Sequence, residues 1–288
     1  MSRFGIAALQ LDLPNADNLE RLDAEIDGAR RRFPWVDMVV VGELASFGPS
    51  TAHAQPLPGP AEARLCAAAA RNDLWLVPGS LFEKRDGRTY NTAPVIDPGG
   101  RVVARYRKMF PFLPYENGVT AGSEFVVFDV PQIGRFGISV CYDMWFPETT
   151  RSLAWMGAEV ILHPSMTSTA DRDAELAIGR ANATVNQCYF VDVNVAGDLG
   201  VGRSAIFGPG GELVCQAGAG REILAVELDL QAVRNARTQG WLGLTQPLKS
   251  FRDSVVEFAP YALAARRSPY LESLGPLKMP TRAGRMPK

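Results

Sequence analysis

Val36-Asp37-Met38-Val39-Val40-Val41 is the stretch that most narrows the fold. An apolar run this short and this continuous suits a strand covered on both faces, as in a sheet flanked by helices. The pattern recurs along the chain. Phe4 to Leu11 reads as a buried strand. A helix that Asp17 or Asn18 can cap follows to about Arg32, with Leu19, Leu22 and Ile26 on one face. Ala61 to Asn72 has strong helix propensity, and Leu74 to Phe82 reads as a strand. Asn91 to Ile96 and Arg101 to Arg107 form a hairpin about the turn Asp97-Pro98-Gly99-Gly100. Helices over Pro147 to Met156 and Asp171 to Gln187 alternate with strands over Ala158 to Leu162 and Tyr189 to Val195. Three short strands follow (Ser204 to Phe207, Glu212 to Cys215, Ile223 to Leu228), then a helix from about Leu230 to Thr238. This alternation predicts a layered α/β domain whose sheets are covered by helices.

Length and charge limit what such a domain does. With 288 residues, 47% of them hydrophobic, the chain can bury a large core. No linker divides the first 240 residues, so we expect one domain over 1–259, with a Pro-rich, basic extension over 260–288 that contacts a neighbouring subunit. A net charge of −1, from 30 basic and 31 acidic residues, supplies no global field for nucleic acid or an anionic membrane. The expected partner is a small molecule, with no nucleic acid and no membrane. No apolar run reaches the roughly 20 residues of a bilayer span, and Met1 to Ile6 does not resemble a signal peptide. Cys66, Cys141, Cys188 and Cys215 lie far apart without a CxxC pair, which points to free thiols, a reducing compartment and a cytoplasmic location.

One of these cysteines is placed for chemistry. The strand-like run Phe136 to Val140 delivers Cys141 into a polar break, and Pro147 then suits the first turn of a helix, so the thiol lies at a strand-to-helix elbow. A thiol there becomes a nucleophile if other groups lower its pKa and collect its proton. The chain has two histidines. His53 lies in a loop and His163 precedes Pro164 directly after a strand, so neither is an obvious base. A buried carboxylate can replace histidine, because desolvation raises its pKa toward neutrality. Glu43, which closes the strand at Val41-Gly42, suits that part. Lys108, where the hairpin's second strand ends, suits an ammonium that stabilises both the thiolate and a substrate oxyanion. The loop Met109 to Ser123 has the Pro and Gly content of a long structured loop kept for function, and Glu116 lies in it.

Three motifs together resemble the nitrilase superfamily of carbon-nitrogen hydrolases over roughly residues 4 to 240. They are Gly42-Glu43-Leu44-Ala45, Tyr106-Arg107-Lys108-Met109-Phe110-Pro111, and Cys141-Tyr142-Asp143-Met144-Trp145-Phe146-Pro147-Glu148. The resemblance implies a four-layer α-β-β-α sandwich, generally assembled as a homodimer or higher homo-oligomer. It matches Glu43, Lys108 and Cys141 to a Glu-Lys-Cys triad, and Glu116 to a second glutamate beside it. It implies an oxyanion site at the backbone N–H of Tyr142 and a reaction without cofactor or metal. Tyr115 and Trp145 are candidate pocket residues. Tyr142-Asp143 followed by Phe146-Pro147-Glu148 resembles members that cleave amides and carbamoyl groups, such as omega-amidases and N-carbamoyl amidohydrolases, more than those that cleave nitriles.

The alternatives are nitrile hydrolysis, a catalytically silent binding or scaffold protein on the same fold, and an unrelated Cys-His hydrolase using His163. Gly200-Val201-Gly202-Arg203-Ser204-Ala205 fits a dinucleotide fingerprint formally, but a strand and turn are expected after it where a helix would be needed.

Overall fold

The computed structural model describes residues 3–113, 115–261 and 268–277. The first half contains β1 (Arg3–Gln10), α1 (Leu19–Arg32), β2 (Met38–Val41), α2 (Pro60–Asn72), β3 (Trp75–Val77), β4 (Leu81–Arg85), β5 (Arg88–Ile96) and β6 (Val102–Arg107). A hairpin of β7 (Val126–Val130) and β8 (Gly134–Ile138) leads through a short 3-10 turn, Cys141–Trp145, into α3 (Pro147–Trp155). Then come β9 (Val160–Ser165), α4 (Arg172–Asn186), β10 (Tyr189–Asn194), β11 (Ala205–Phe207), β12 (Leu213–Gln216), β13 (Glu222–Asp229) and α5 (Leu230–Gln239). The short helices α6 (Pro247–Arg252) and α7 (Pro269–Ser273) follow. Of the extension expected over 260–288, residues 262–267 and 278–288 lie outside the described residues.

The strands form two sheets. One runs β13-β1-β2-β3-β5-β4 with β6 also paired to β5, and the other runs β12-β11-β10-β9-β8-β7. Their centres are parallel, β1-β2-β3 in one and β8-β9-β10 in the other, with antiparallel strands at the flanks. Strand periodicity explains the layering. Met38 and Val40 point inward, with Ile6 and Ala8, against Ile138, Leu162, Val191 and Val193 of the facing sheet. Val39 and Val41 point outward, with Ala7 and Leu9, onto Leu22 and Ile26 of α1 and Leu65 and Ala69 of α2. On the far side Ile161, Phe190 and Phe207 pack with Leu153 of α3 and Ala183 of α4. The order helix, sheet, sheet, helix is the four-layer sandwich. Each large apolar side chain fully buried in these layers contributes roughly 1.5–3 kcal/mol, and β2, covered on both faces, is apolar at every position.

Three local outcomes differ from the sequence pattern. The strand expected over Leu74 to Phe82 is two strands, because Gly79 adopts φ +80 and its close approach to the Gly42 carbonyl leaves no room for a Cβ. That turn frees β4 to pair antiparallel with β5, and Ser80 Oγ accepts the N–H of Leu44 at 3.1 Å. Asn18 does not cap α1 with its side chain. It is buried and donates to the carbonyls of Pro14 and Ala45, while Asp17 accepts the Leu19 N–H at 3.0 Å. Strand β7, for which the pattern offered no signal, completes the second sheet beside β8. After Gly200 to Ser204 the chain enters β11, so no helix stands where a dinucleotide fingerprint needs one.

Candidate active site

The carboxyl ends of the parallel strands meet where the two sheets touch, the usual position for a site in open parallel sheets. The Glu43 N–H, just past β2, donates to Ser165 O at the end of β9, at 3.1 Å, and Ala196 N donates to Leu11 O at 2.9 Å. Gly42 makes this approach possible, since a Cβ there would lie 2.6 Å from Val195 Cγ1. Two non-glycine residues flanking the junction take left-handed backbone, Leu44 at φ 52 and Cys141 at φ 49. Such conformations cost of order 1–3 kcal/mol each. At Cys141 the result is that β8 stops and the side chain turns into the junction, where it is 8% exposed.

Glu43, Lys108 and Glu116 come together beside it. Lys108 Nζ donates to Glu43 Oε1 at 3.0 Å and to Glu116 Oε2 at 2.6 Å. Cys141 lines the same cavity as Glu43, Lys108 and Glu116. Asn91, on β5, holds both acids: its Nδ2 donates to Glu43 Oε1 at 2.8 Å and Glu116 Oε1 at 3.2 Å. The Lys108 backbone is pinned in turn, its N–H to Asn91 O and its C=O to Gly122 N, each at 2.8 Å. An isolated buried ammonium would be costly, and two carboxylates stabilise this one.

Burial sets the proton distribution. It pushes the Glu43 carboxyl up, against the opposing pull of Lys108. Lys108 keeps its proton despite burial, because Glu43, Cys141 and Glu116 surround it. The expectation of a lowered thiol pKa is corrected here. Burial first and the charge of Glu43 second drive Cys141 well above the ordinary thiol range, and Lys108 only partly opposes them. The resting thiol is therefore neutral, beside a Glu43 carboxyl whose affinity for a proton burial has raised.

Two adjoining cavities open on Cys141. One, of about 290 Å³, is lined by Glu43, Lys108 and Glu116, and the other, of about 500 Å³, by Tyr142, Trp145 and Thr167 to Asp171. Phe112, Tyr115, Cys141 and Met166 line both. Tyr115 and Trp145 thus lie where pocket residues were expected. Phe112 stacks near Tyr115 and Tyr142, with centroids 4.9 Å apart in each case, which gives the junction an aromatic wall.

Neither histidine faces the thiol as a base. His163 is fully buried, with Nδ1 2.7 Å from Ser139 Oγ, and burial pushes it down to about 4. His53 is exposed and stacks on Phe47 at 5.8 Å. Two residues not singled out from the sequence organise the elbow instead. Asp143 Oδ2 accepts the Tyr106 O–H at 2.6 Å and the Val140 N–H at 2.8 Å, and Oδ1 accepts the Phe110 N–H at 2.9 Å. One buried carboxylate therefore ties the Cys141 turn to the segment carrying Lys108, and burial pushes it up to about 6. Both residues lie inside quoted motifs, Tyr106 two before Lys108 and Asp143 two after Cys141, but nothing in either motif says that the two touch. Among the described residues no cluster of His, Cys, Asp and Glu is arranged to hold a metal, and no helix is long and apolar enough to cross a membrane.

The chain is similar to known proteins over most of its length. An omega-amidase of Xenopus laevis is 30% identical over 260 residues, covering 83% of this chain and 93% of the relative. A formamidase of Bacillus cereus is 30% identical over 216 residues, covering 70% of this chain and 65% of the relative. Among solved structures, a variant of the amidase from Nesterenkonia sp. AN1 superposes with a TM-score of 0.73 at 25% identity, covering 82% of this chain and 94% of that one. That variant carries the acetamide moiety of fluoroacetamide covalently added at its active-site cysteine. The carbon-nitrogen hydrolase family profile matches residues 5–238. With the two-sheet sandwich and the junction at Cys141 in place, the chain belongs to the carbon-nitrogen hydrolase family, within the nitrilase superfamily.

Proposed function

We propose that this chain hydrolyses the C–N bond of a small linear amide or N-carbamoyl compound through a thioester on Cys141. The observation that carries this is the buried Cys141 thiol in the wall of a cavity that Glu43, Glu116 and the Lys108 ammonium also line, with Lys108 bridging the two acids. The covalent adduct at the cysteine of the related amidase supports the same role for Cys141. The amide-cleaving relatives support the reaction class.

In this mechanism Glu43 takes the Sγ proton as sulfur attacks the carbonyl carbon, so proton transfer and bond formation are coupled and no free thiolate accumulates. The oxyanion forms beside Lys108 Nζ and the backbone N–H of Tyr142, in the first turn after Val140, where helical N–H groups lack intrahelical acceptors. Collapse breaks the C–N bond, and Glu43 passes its proton to the departing ammonia or amine. Water then enters, Glu43 takes one of its protons, and hydroxide attacks the thioester. The acid (or carbamate) leaves and the thiol recovers its proton. Glu116 and Asn91 hold Lys108 and Glu43 in register throughout. The test is ammonia release over amides, N-carbamoyl compounds and nitriles. Cys141→Ala is expected to abolish it with the circular dichroism spectrum unchanged; turnover that survives the substitution sinks the proposal. Turnover of nitriles alone favours nitrile hydrolysis instead.

A further inference from the structure

The larger cavity, of about 500 Å³, is lined in part by Thr167 to Asp171 and by Glu175 in the first turn of α4. Its lining holds one carboxylate from the buried interior, Glu175, which is 3% exposed. Glu175 Oε1 accepts the Thr167 hydroxyl at 3.0 Å, and Oε2 accepts Arg172 Nη1 at 3.1 Å. Arg172 does not reach the cavity. Its Nη2 pairs with Asp192 Oδ2 at 2.7 Å and donates to the Arg203 carbonyl at 2.9 Å, which turns its charge into the sandwich.

The charge count of this cluster is uneven. Two buried acids, Glu175 and Asp192, share the single guanidinium of Arg172. His163 packs against the same group, but burial pushes it down to about 4, so it is neutral near pH 7. Asp171 at the rim adds a further acid. The other cations nearby are taken: Arg203 by Asp173 at 2.7 Å, and Lys108 by Glu43 and Glu116. Burial first and Asp192 second push Glu175 up to about 7. A ligand cation beside it would offset both. A ligand carboxylate would meet Glu175 and Asp171 with no free cation.

We propose that Glu175 makes the wall of the larger Cys141 cavity a receptor for an ammonium group, so that the substrate is a small amide or N-carbamoyl compound with an amino tail. The tail would donate to Glu175, and the aromatic rings of Tyr142 and Trp145 in the same lining suit a cation. This rests on Cys141 being the nucleophile, since Glu175 then lines a cavity that opens on Cys141 and that Lys108 does not line.

Three amides of similar length test it: δ-aminovaleramide, hexanamide and glutaramic acid, which end in an ammonium, a methyl and a carboxylate. The wild-type protein is expected to favour the amino amide over hexanamide in kcat/KM by about tenfold or more, ~1.4 kcal/mol, and to use glutaramic acid least. Glu175→Gln keeps the shape, the Thr167 partner and the Arg172–Asp192 pair. It is expected to bring the ratio of amino amide to hexanamide down to about one, mainly through KM. Equal use of all three tails by the wild-type protein overturns the proposal without any variant, and so does a preference that survives Glu175→Gln. Calorimetric binding of the amino amide to Cys141→Ala, with and without Glu175→Gln, separates the two levels of inference. Binding that weakens about tenfold with Glu175→Gln, in a protein whose parent hydrolyses no amide, keeps the receptor and sinks the hydrolase. Hydrolysis without tail preference does the reverse.

Discussion

Two clusters of the same formal composition lie on either side of Cys141: Lys108 between Glu43 and Glu116, and Arg172 between Glu175 and Asp192. Each is one cation shared by two acids, and each is buried beside a cavity. The cation distinguishes them. An ammonium has three donors on one point, and two of those of Lys108 are taken by its acids, which leaves one for a substrate oxygen. The guanidinium of Arg172 spreads its donors over a rigid fork whose two Nη atoms meet Glu175, Asp192 and the Arg203 carbonyl, so the cavity meets the acid and not the cation. The same charge count thus offers a donor on one side of the thiol and an acceptor on the other. Net charge alone does not say what a buried cluster does; the geometry of the shared cation does.

The largest break in this comparison is Glu43→Gln, which leaves Lys108 paired but removes the base. We expect kcat to fall by about 10²–10⁴-fold, with the melting curve little changed. In the wild type, protonating Glu43 at low pH does the same. Because burial raises its pKa, kcat/KM should climb with pH through a limb lying above the ordinary carboxylate range. A limb near the free-glutamate value would contradict the buried-base assignment. Arg172→Met breaks the other cluster and strands two buried carboxylates. A loss of roughly 3–5 kcal/mol in denaturant unfolding is expected, and unchanged stability would mean that the two acids are solvated. Asp143→Asn is a smaller perturbation of the first cluster alone. It replaces one of the two oxygens that accept from Tyr106, Val140 and Phe110 with an NH2 group, so a stability loss of about 1–3 kcal/mol is expected. It should lower the turnover of all amides without altering tail preference; a selective effect on one tail would show that the two sides are not separate.

The legibility of the two clusters in the sequence was unequal for a physical reason. Glu43, Lys108 and Cys141 each stand where an apolar strand pattern stops, so strand ends could be proposed as one site. The helix carrying Arg172 and Glu175 was expected over Asp171 to Gln187 and forms as Arg172–Asn186, but its buried charged face could not be anticipated. Arg172 and Glu175 look like any solvated pair at helical spacing. Asp192, which pairs with Arg172, stands in an apolar strand 20 positions on from it, and only the pairing of β9 with β10 brings it under the helix. The thiol shows a similar limit. A cation in its neighbourhood suggested a lowered pKa, but the sign depends on how deeply the group is buried and on which charge lies nearer.

By itself the sequence determined the alternation of strands and helices, the two-faced apolar character of β2, and the elbow that presents Cys141. These follow from side-chain periodicity and from the conformational limits of proline and glycine, which act over a few residues. Tertiary structure decided which side chains share a proton, a charge or a cavity. The division of Leu74 to Phe82 into β3 and β4, the tie from Asp143 to Tyr106, and the burial of Arg172 between Glu175 and Asp192 all depend on contacts between segments distant in sequence. Such contacts draw their strength from excluded water, and the exclusion exists only once both sheets and their helices are in place.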